Sequence, residues 1–87
     1  MKAWHFLRTG QPLTPVDIPV PVAGPGQVLL QVGGCGLCHT DVGVMEDEGW
    51  LSTLVKLPIV MGHEVAGTII ALGPEVADWR IGDRVGV

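Results

Sequence analysis

The sequence predicts a mainly β domain, a small barrel or sandwich, with one short helix. Thirteen Gly and seven Pro among 87 residues favour frequent turns and short strands over long helices. Short apolar segments, each bounded by Gly or Pro, follow one another along the chain, as in small all-β domains. Hydrophobic residues make up 47% of the chain and charged residues 16%, a balance that predicts a folded chain.

The first part of the chain predicts three extended segments. Residues 1–8 are rich in aromatic and aliphatic side chains and end at a Thr-Gly-Gln-Pro turn. Residues 13–22 contain three prolines, which cannot donate hydrogen bonds to a neighbouring strand, so this segment is predicted to lie at a sheet edge. Residues 27–32 alternate between two faces, which is typical of a strand.

The remainder predicts one helix and two more strands. Three glycines within residues 33–36 are expected to end the third strand. Residues 38–49 fit a short helix that ends in an acidic run. Residues 65–72 are almost wholly apolar, which predicts a strand covered on both faces. Gly/Pro and Gly/Asp turn signals separate it from a last strand at residues 84–87.

Charge, apolar length and cysteine content exclude several classes of protein. The formal net charge is −4 and the five basic residues are scattered, so the chain offers no positive surface for nucleic acid. Its most apolar stretch, residues 65–72, is far shorter than the about 20 residues that span a membrane. Two cysteines cannot form the disulfide framework of a secreted domain. We therefore predict a cytoplasmic protein that binds neither nucleic acid nor membrane.

Two short motifs carry side chains suited to a metal ion. Cys38 opens the segment Cys-His-Thr-Asp, and His63 lies within Gly-His-Glu. A thiolate and an imidazole are good zinc ligands, and the carboxylate of Glu64 could ligate zinc or orient a ligand. By spacing alone, a structural role for this Cys and this His is the more common alternative. Glycines on both sides strengthen the metal hypothesis, because glycine lets a backbone approach a site closely.

Other motifs are incomplete. His63 and Glu64 begin like the HExxH helix of zinc proteases, but residue 67 is Gly. Cys35 and Cys38 form a CxxC pair, yet the second pair of a zinc ribbon and the βαβ context of a redox motif are missing. Cys35 is therefore predicted to be a small buried residue at a strand end. Neither GxGxxG nor a P-loop sequence is present, so no nucleotide-phosphate loop is predicted.

Three motifs together resemble the medium-chain zinc-dependent alcohol dehydrogenases. Residues 62–67 (GHEVAG) are similar to the zinc signature of that family, residues 36–41 (GLCHTD) to its first ligand motif, and residues 81–85 (IGDRV) to its following strand. The resemblance extends over residues 1–87. It implies the N-terminal part of a GroES-like domain, a truncated partial β-barrel with one short helix. It also implies that the Rossmann domain, which binds NAD or NADP, is absent from this chain.

The resemblance implies a zinc site. Cys38 and His63 would ligate the catalytic zinc, and Glu64 would be a third ligand or a catalytic carboxylate beside the metal. Asp41 would accept a hydrogen bond from His63 and so fix its tautomer, as zinc-bound histidines generally require. A further protein ligand of that zinc lies beyond residue 87 in the family.

The resemblance also implies a reaction: the reversible oxidation of an alcohol to an aldehyde or ketone by hydride transfer. Thr40 would relay the proton of the substrate hydroxyl, and His39 would lie near the cofactor phosphates. Many members carry a His that ends the relay, but Gly43 stands at that position, so the relay must end in solvent, in His39 or outside this chain. The chain alone is not expected to catalyse the reaction, because nothing in it would bind the nicotinamide cofactor.

A second hypothesis comes from a different class of protein. The chain could be a stand-alone small β-barrel that binds a protein partner, with zinc ligands left over from an enzyme ancestor. Its exposed apolar surface would then be the interaction surface, and self-association would be the simplest outcome. We expect a homo-oligomer.

Overall fold

The computed structural model describes residues 1–46, 53 and 55–87 of the chain. In these residues the elements follow the order β1 (Lys2–Phe6), β2 (Thr14–Asp17), β3 (Val28–Gly36), α1 (His39–Glu46), β4 (Ile59–Val60), β5 (Glu64–Leu72) and β6 (Arg84–Gly86). The strands form two three-stranded sheets, with strand orders β2-β1-β4 and β3-β5-β6. The predicted mainly β fold with one short helix is therefore confirmed. In the described part of the chain, these open sheets close no barrel.

The chain divides into two compact units, each built from two separate stretches. One unit consists of Met1–Pro19 and Leu37–Gly62, and the other of Val20–Gly36 and His63–Val87. The first unit holds the β2-β1-β4 sheet and α1, and the second holds the β3-β5-β6 sheet.

In the first unit, β1 is the central strand and pairs antiparallel with both β2 and β4. Pro15 lies in the edge strand β2, opposite Trp4, which confirms the predicted edge position of this proline-rich segment. Ala3 and Phe6 of β1 and Val44 of α1 are buried. These side chains make up the apolar core of the unit among its described residues.

In the second unit, β5 is the central strand and pairs with β3 and β6. Ile69 is 1% exposed, whereas the next residue, Ile70, is 45% exposed. The prediction that residues 65–72 are covered on both faces is therefore wrong for this chain. Successive side chains of a strand point to opposite faces, and at Ile69 and Ile70 only one of the two positions is buried.

The third strand is longer than predicted. Its glycines do not end it, because β5 supplies hydrogen-bonding partners as far as the pair Gly36–Glu64. The register shifts between Val32 and Gly34, and glycine is suited to such an irregularity. Cys35 is exposed, so its predicted burial is wrong. Every residue from 31 to 36 is exposed to solvent.

The helix begins one residue later than predicted, at His39, and is described as far as Glu46. Residues 47–49 of the predicted helix lie outside the described residues. Within those that are described, no helix is long and apolar enough to span a membrane.

Candidate metal centre

Cys38 lies immediately before α1, and its backbone is held by the third residue of that helix. Oδ2 of Asp41 accepts a hydrogen bond from the backbone N–H of Cys38 at 3.1 Å. The backbone N–H of Asp41 donates to the carbonyl oxygen of Cys38 at 3.0 Å. Asp41 is 5% exposed and Cys38 is half-buried. The bond from the Cys38 N–H to the Asp41 carboxylate is one half of a capping box, in which an acidic residue in the first helical turn bonds back to the residue before the helix.

Sequence reasoning missed this role of Asp41. The signal was the spacing of the capping box, with Cys in place of Ser or Thr and Asp in place of Glu. The structure thereby gives Asp41 a contact with the backbone of Cys38, a predicted metal ligand.

His39 and Thr40 form the first turn of α1 and both are exposed. The first backbone N–H groups of a helix have no partner within the helix and form the positive end of its dipole. Anionic groups are therefore favoured at this end. The two side chains lie where a bound molecule could reach them.

Glu64 is the first residue of β5 in the second unit, His63 immediately precedes it, and both are exposed. Gly62, just before them, has φ of 120°, a conformation that side-chain-bearing residues rarely adopt. The backbone conformation immediately before His63 therefore depends on this glycine.

The carboxylate of Glu64 occupies space left by a glycine. Gly36 is the cross-strand partner of Glu64. A Cβ atom on Gly36 would lie 3.0 Å from Oε2 of Glu64 and 3.2 Å from its Cβ. The sequence indicates only a glycine near a candidate ligand, and the structure shows the side chain that it accommodates.

The predicted site residues are divided between the two units. Four of them, residues 38–41, belong to the first unit, and His63 and Glu64 belong to the second. Neither unit by itself, in its described residues, brings together three or more His, Cys, Asp or Glu side chains able to hold a metal ion. The zinc ligand set and the hydrogen bond from His63 to Asp41 therefore stay predictions.

The donor chemistry of these residues fits zinc. Thiolate, imidazole and carboxylate are the ligand types that zinc takes in proteins. The Cys38 backbone is fixed by Asp41, and Gly36 leaves room for the carboxylate of Glu64. Each unit thus presents at least one suitable donor in a defined local setting.

In its described residues, the fold is a small domain of two β-sheets with one short helix, and comparison with known proteins identifies its family. Residues 24–87 match the alcohol dehydrogenase GroES-like domain. The chain belongs to this family, as its motifs predicted.

The relatives are dehydrogenases. L-threonine 3-dehydrogenase of Cutibacterium acnes is 42% identical over 85 residues, which are 98% of this chain and 25% of that protein. Among solved structures, 2R,3R-butanediol dehydrogenase from Bacillus subtilis has a TM-score of 0.85 at 28% identity, over 99% of this chain and 27% of the other. A Sinorhizobium meliloti 1021 protein, assigned as a zinc-binding dehydrogenase and solved bound to NADP, has a TM-score of 0.81 at 29% identity, over 95% and 23%.

The chain spans about a quarter of the length of the curated relatives that it matches. These comparisons support the dehydrogenase hypothesis, and nothing in them favours a stand-alone interaction module.

Proposed function

We propose that this chain is the N-terminal part of the catalytic domain of a zinc-dependent dehydrogenase. The whole protein oxidises a small alcohol reversibly to an aldehyde or ketone by hydride transfer to NAD or NADP. The observation that supports this most strongly is the hydrogen bond from the backbone of Cys38 to Asp41 at the start of α1, in a chain of the alcohol dehydrogenase GroES-like family. The names of the relatives, a threonine dehydrogenase and a butanediol dehydrogenase, point to the same reaction class.

We place the parts of this enzyme as follows. Residues 1–87 form the N-terminal part of the GroES-like domain, and the nicotinamide cofactor binds a Rossmann domain outside this chain. The short match to much longer relatives supports this division. The chain alone is then expected to show no NAD(P)-dependent turnover.

Cys38 and His63 would hold the zinc ion, with Glu64 as a third ligand or a carboxylate beside it. Bound zinc supplies a Lewis acid that polarises the alcohol oxygen and favours the alkoxide. Asp41 fixes the backbone from which Sγ of Cys38 extends, and in the whole protein it also accepts a hydrogen bond from His63. Ligands oriented in this way bind metal more tightly, because less conformational freedom is lost on binding.

Thr40 would carry the proton. Its hydroxyl is exposed in the first turn of α1, where it can accept the proton of the substrate alcohol and donate its own onward. Gly43 has no side chain to continue the relay, so the proton passes to His39, to solvent or to a group outside this chain. The N-terminal end of α1 supports a place for the cofactor phosphates beside His39.

We further place the protein in the cytoplasm as a homo-oligomer. Within residues 1–87, the two cysteines form no disulfide framework of the kind found in secreted domains. Exposed apolar side chains, among them Val22 and Ile81, support association with other protein surface.

Cobalt titration of the purified chain tests the ligand assignment. Co²⁺ replaces zinc in such sites, and thiolate coordination to it gives a strong charge-transfer absorption. We expect that absorption in the native chain and in the Cys35→Ser and His5→Asn controls. We expect its loss in Cys38→Ser and weaker cobalt binding in His63→Asn. Absorption that survives Cys38→Ser but disappears in Cys35→Ser would contradict the assignment.

A further inference from the structure

We propose that the bulge at Gly33 of β3 positions the carboxylate of Glu64 in the metal site. The bulge sets the register in which Gly36 lies opposite Glu64, and it leaves Cys35 on the other face of the sheet. The carboxylate therefore has a residue without a side chain opposite it, and the thiol of Cys35 is kept away from it. The register concerns the second unit alone, whereas its consequence for zinc rests on the proposed function.

The first irregularity of the β3–β5 ladder brings apolar side chains together. The pairing moves by one residue between Leu29 and Leu30, because Ile70 of β5 is left out of it. Leu30 then pairs with Ile69, and residues directly opposite each other share a face of the sheet. Without this shift, the polar Gln31 would pair with Ile69, which is 1% exposed. The hydrophobic pattern therefore favours the shifted register.

The second irregularity reverses the first. The pairing moves back by one residue within residues 32–34, where Gly33 of β3 is the extra residue. After this bulge, Gly36 pairs with Glu64. Without it, the register of the preceding residues would continue and would place Cys35 opposite Glu64. The bulge thus decides which residue lies opposite the carboxylate.

The residue opposite Glu64 determines what surrounds its carboxylate. A Cβ atom on Gly36 would lie 3.0 Å from Oε2 of Glu64, so any larger residue there would crowd the carboxylate. Cys35 instead pairs with Val65, on the opposite face from Glu64, because successive residues of a strand alternate between faces. A thiolate is a strong zinc ligand, so a thiol on the face of Glu64 would compete with the carboxylate for the metal.

Disulfide cross-linking to the native Cys35 tests the register. The carbonyl oxygen of Val65 accepts from the N–H of Val87 at 2.8 Å, on the side of β5 away from β3. Cys35 and Val65 are therefore a non-hydrogen-bonded pair, in which side chains lie close together. In a Cys38→Ser background oxidised with diamide, Val65→Cys should form an intrachain disulfide with Cys35, and Glu64→Cys should not. A bridge that forms as fast in Glu64→Cys would overturn the proposal.

The unmodified chain offers an independent measure of the same register. Hα atoms of a non-hydrogen-bonded pair lie close together, so a nuclear Overhauser effect is expected between Hα of Cys35 and Hα of Val65. If the ladder continued without the bulge, Hα of Val65 would instead be near Gly34. A nuclear Overhauser effect between Val65 and Gly34, with none to Cys35, would overturn the proposal.

Deletion of Gly33 tests the bulge itself. If Gly33 is the extra residue, the ladder of the preceding residues runs on without interruption after the deletion, and Cys35 still lies opposite Val65. The cross-link of Cys35 with Val65→Cys should therefore form as it does with Gly33 present. Its loss, in a deletion variant that circular dichroism shows to be folded, would overturn the assignment of Gly33.

Cobalt binding tests the consequence for the metal site. The exchange variant Cys35→Gly with Gly36→Cys moves the thiol to the face of Glu64. Its thiolate absorption per bound Co²⁺ should rise about twofold, because a second thiolate then joins Cys38 at the metal. The control, Cys35→Gly with Gly34→Cys, places the thiol on the same face but two residues away, and should keep the native absorption.

The results separate this inference from the proposed function. If the thiol at residue 36 adds no absorption while the native absorption still depends on Cys38, the role of the bulge is wrong and the proposed function stands. If Val65→Cys forms the cross-link but no variant shows thiolate absorption with Co²⁺, the register is confirmed. The proposed zinc site is then wrong, and with it the role of the bulge in that site.

Discussion

The carboxylate of Asp41 and the backbone of Cys38 hold each other in place at the start of the helix. Oδ2 of Asp41 accepts from the N–H of Cys38 at 3.1 Å, and the N–H of Asp41 donates to the carbonyl oxygen of Cys38 at 3.0 Å. Both polar backbone groups of the proposed zinc ligand are thus tied to a single residue. Because Asp41 is 5% exposed, this contact is largely sheltered from water. Hydrogen bonds to charged groups contribute more to stability in such a sheltered position than in water.

Removal of this carboxylate should destabilise the chain. Asp41→Ala is expected to lower the free energy of unfolding by about 1.5–3 kcal/mol, the range for a hydrogen bond to a charged group. Asp41→Asn keeps an acceptor oxygen and should lose less. Urea denaturation followed by tryptophan fluorescence measures both variants. Glu46→Ala, in an exposed position of the same helix, is the control and should cost less than about 0.5 kcal/mol. If Asp41→Ala loses no more stability than Glu46→Ala, the capping role of Asp41 is refuted.

Two glycines of the second unit should respond oppositely to the same substitution. A Cβ on Gly67 would overlap the carbonyl oxygen of Gln31 in the paired strand, whereas a Cβ on Gly34 would meet nothing within 4 Å. Gly67→Ala should therefore destabilise the chain by about 1–3 kcal/mol, as overpacking does. Gly34→Ala should be within about 0.5 kcal/mol of the native chain. Thermal unfolding by circular dichroism compares them, and similar midpoints would show that the strands do not approach this closely.

Adjacent isoleucines of β5 offer a matched test of the core. Ile69 is 1% exposed and Ile70 is 45% exposed. Ile69→Val should cost about 0.5–1.5 kcal/mol, because it removes one buried methylene. Ile70→Val should change stability little, since it removes a group already in contact with water. Denaturant midpoints report the difference. If Ile70→Val is the more damaging change, the assignment of the buried face is reversed.

Gly36 should matter for metal binding through its neighbour. Gly36→Ala places a methyl group 3.0 Å from Oε2 of Glu64, which must then move. Loss of the hydrogen-bonding groups that orient metal ligands typically costs about 10–100-fold in metal affinity. For this steric displacement we expect the lower end of that range, because the carboxylate is exposed. Competition with a chelator measures the dissociation constant, with Gly34→Ala as control. An unchanged affinity would exclude Glu64 from the site.

Local chemistry explains which parts of the fold were predictable. The prolines of residues 13–22 correctly predicted an edge strand, because proline cannot donate to a ladder. The predicted end of β3 was wrong. Pairing with β5 continues the strand through Gly33 and Gly34, despite the weak strand preference of glycine. The predictions that Cys35 is buried and that both faces of β5 are covered were wrong for a related reason. Apolar character does not say which face a neighbouring element covers.

The candidate site likewise contains features that the sequence predicts and features that it does not. Motifs identified Cys38, His63 and Glu64 as donors, since thiolate, imidazole and carboxylate are chemically distinctive. The contacts of Asp41 with Cys38 and of Gly36 with Glu64 depend on helix capping and strand register. The first follows a spacing that can be read from sequence. The second could not be predicted, because register is set by long-range pairing.

The most direct test of the account is the zinc content of the purified chain, measured by inductively coupled plasma mass spectrometry beside a Cys38→Ala variant. Cys35→Ala is the matched control, since it removes the neighbouring thiol that the proposed zinc site does not use. We predict one tightly held zinc ion in the native chain and in Cys35→Ala, and its loss in Cys38→Ala. Zinc that is absent from the native chain, or retained in Cys38→Ala, would contradict the proposal that Cys38 is a zinc ligand in this chain.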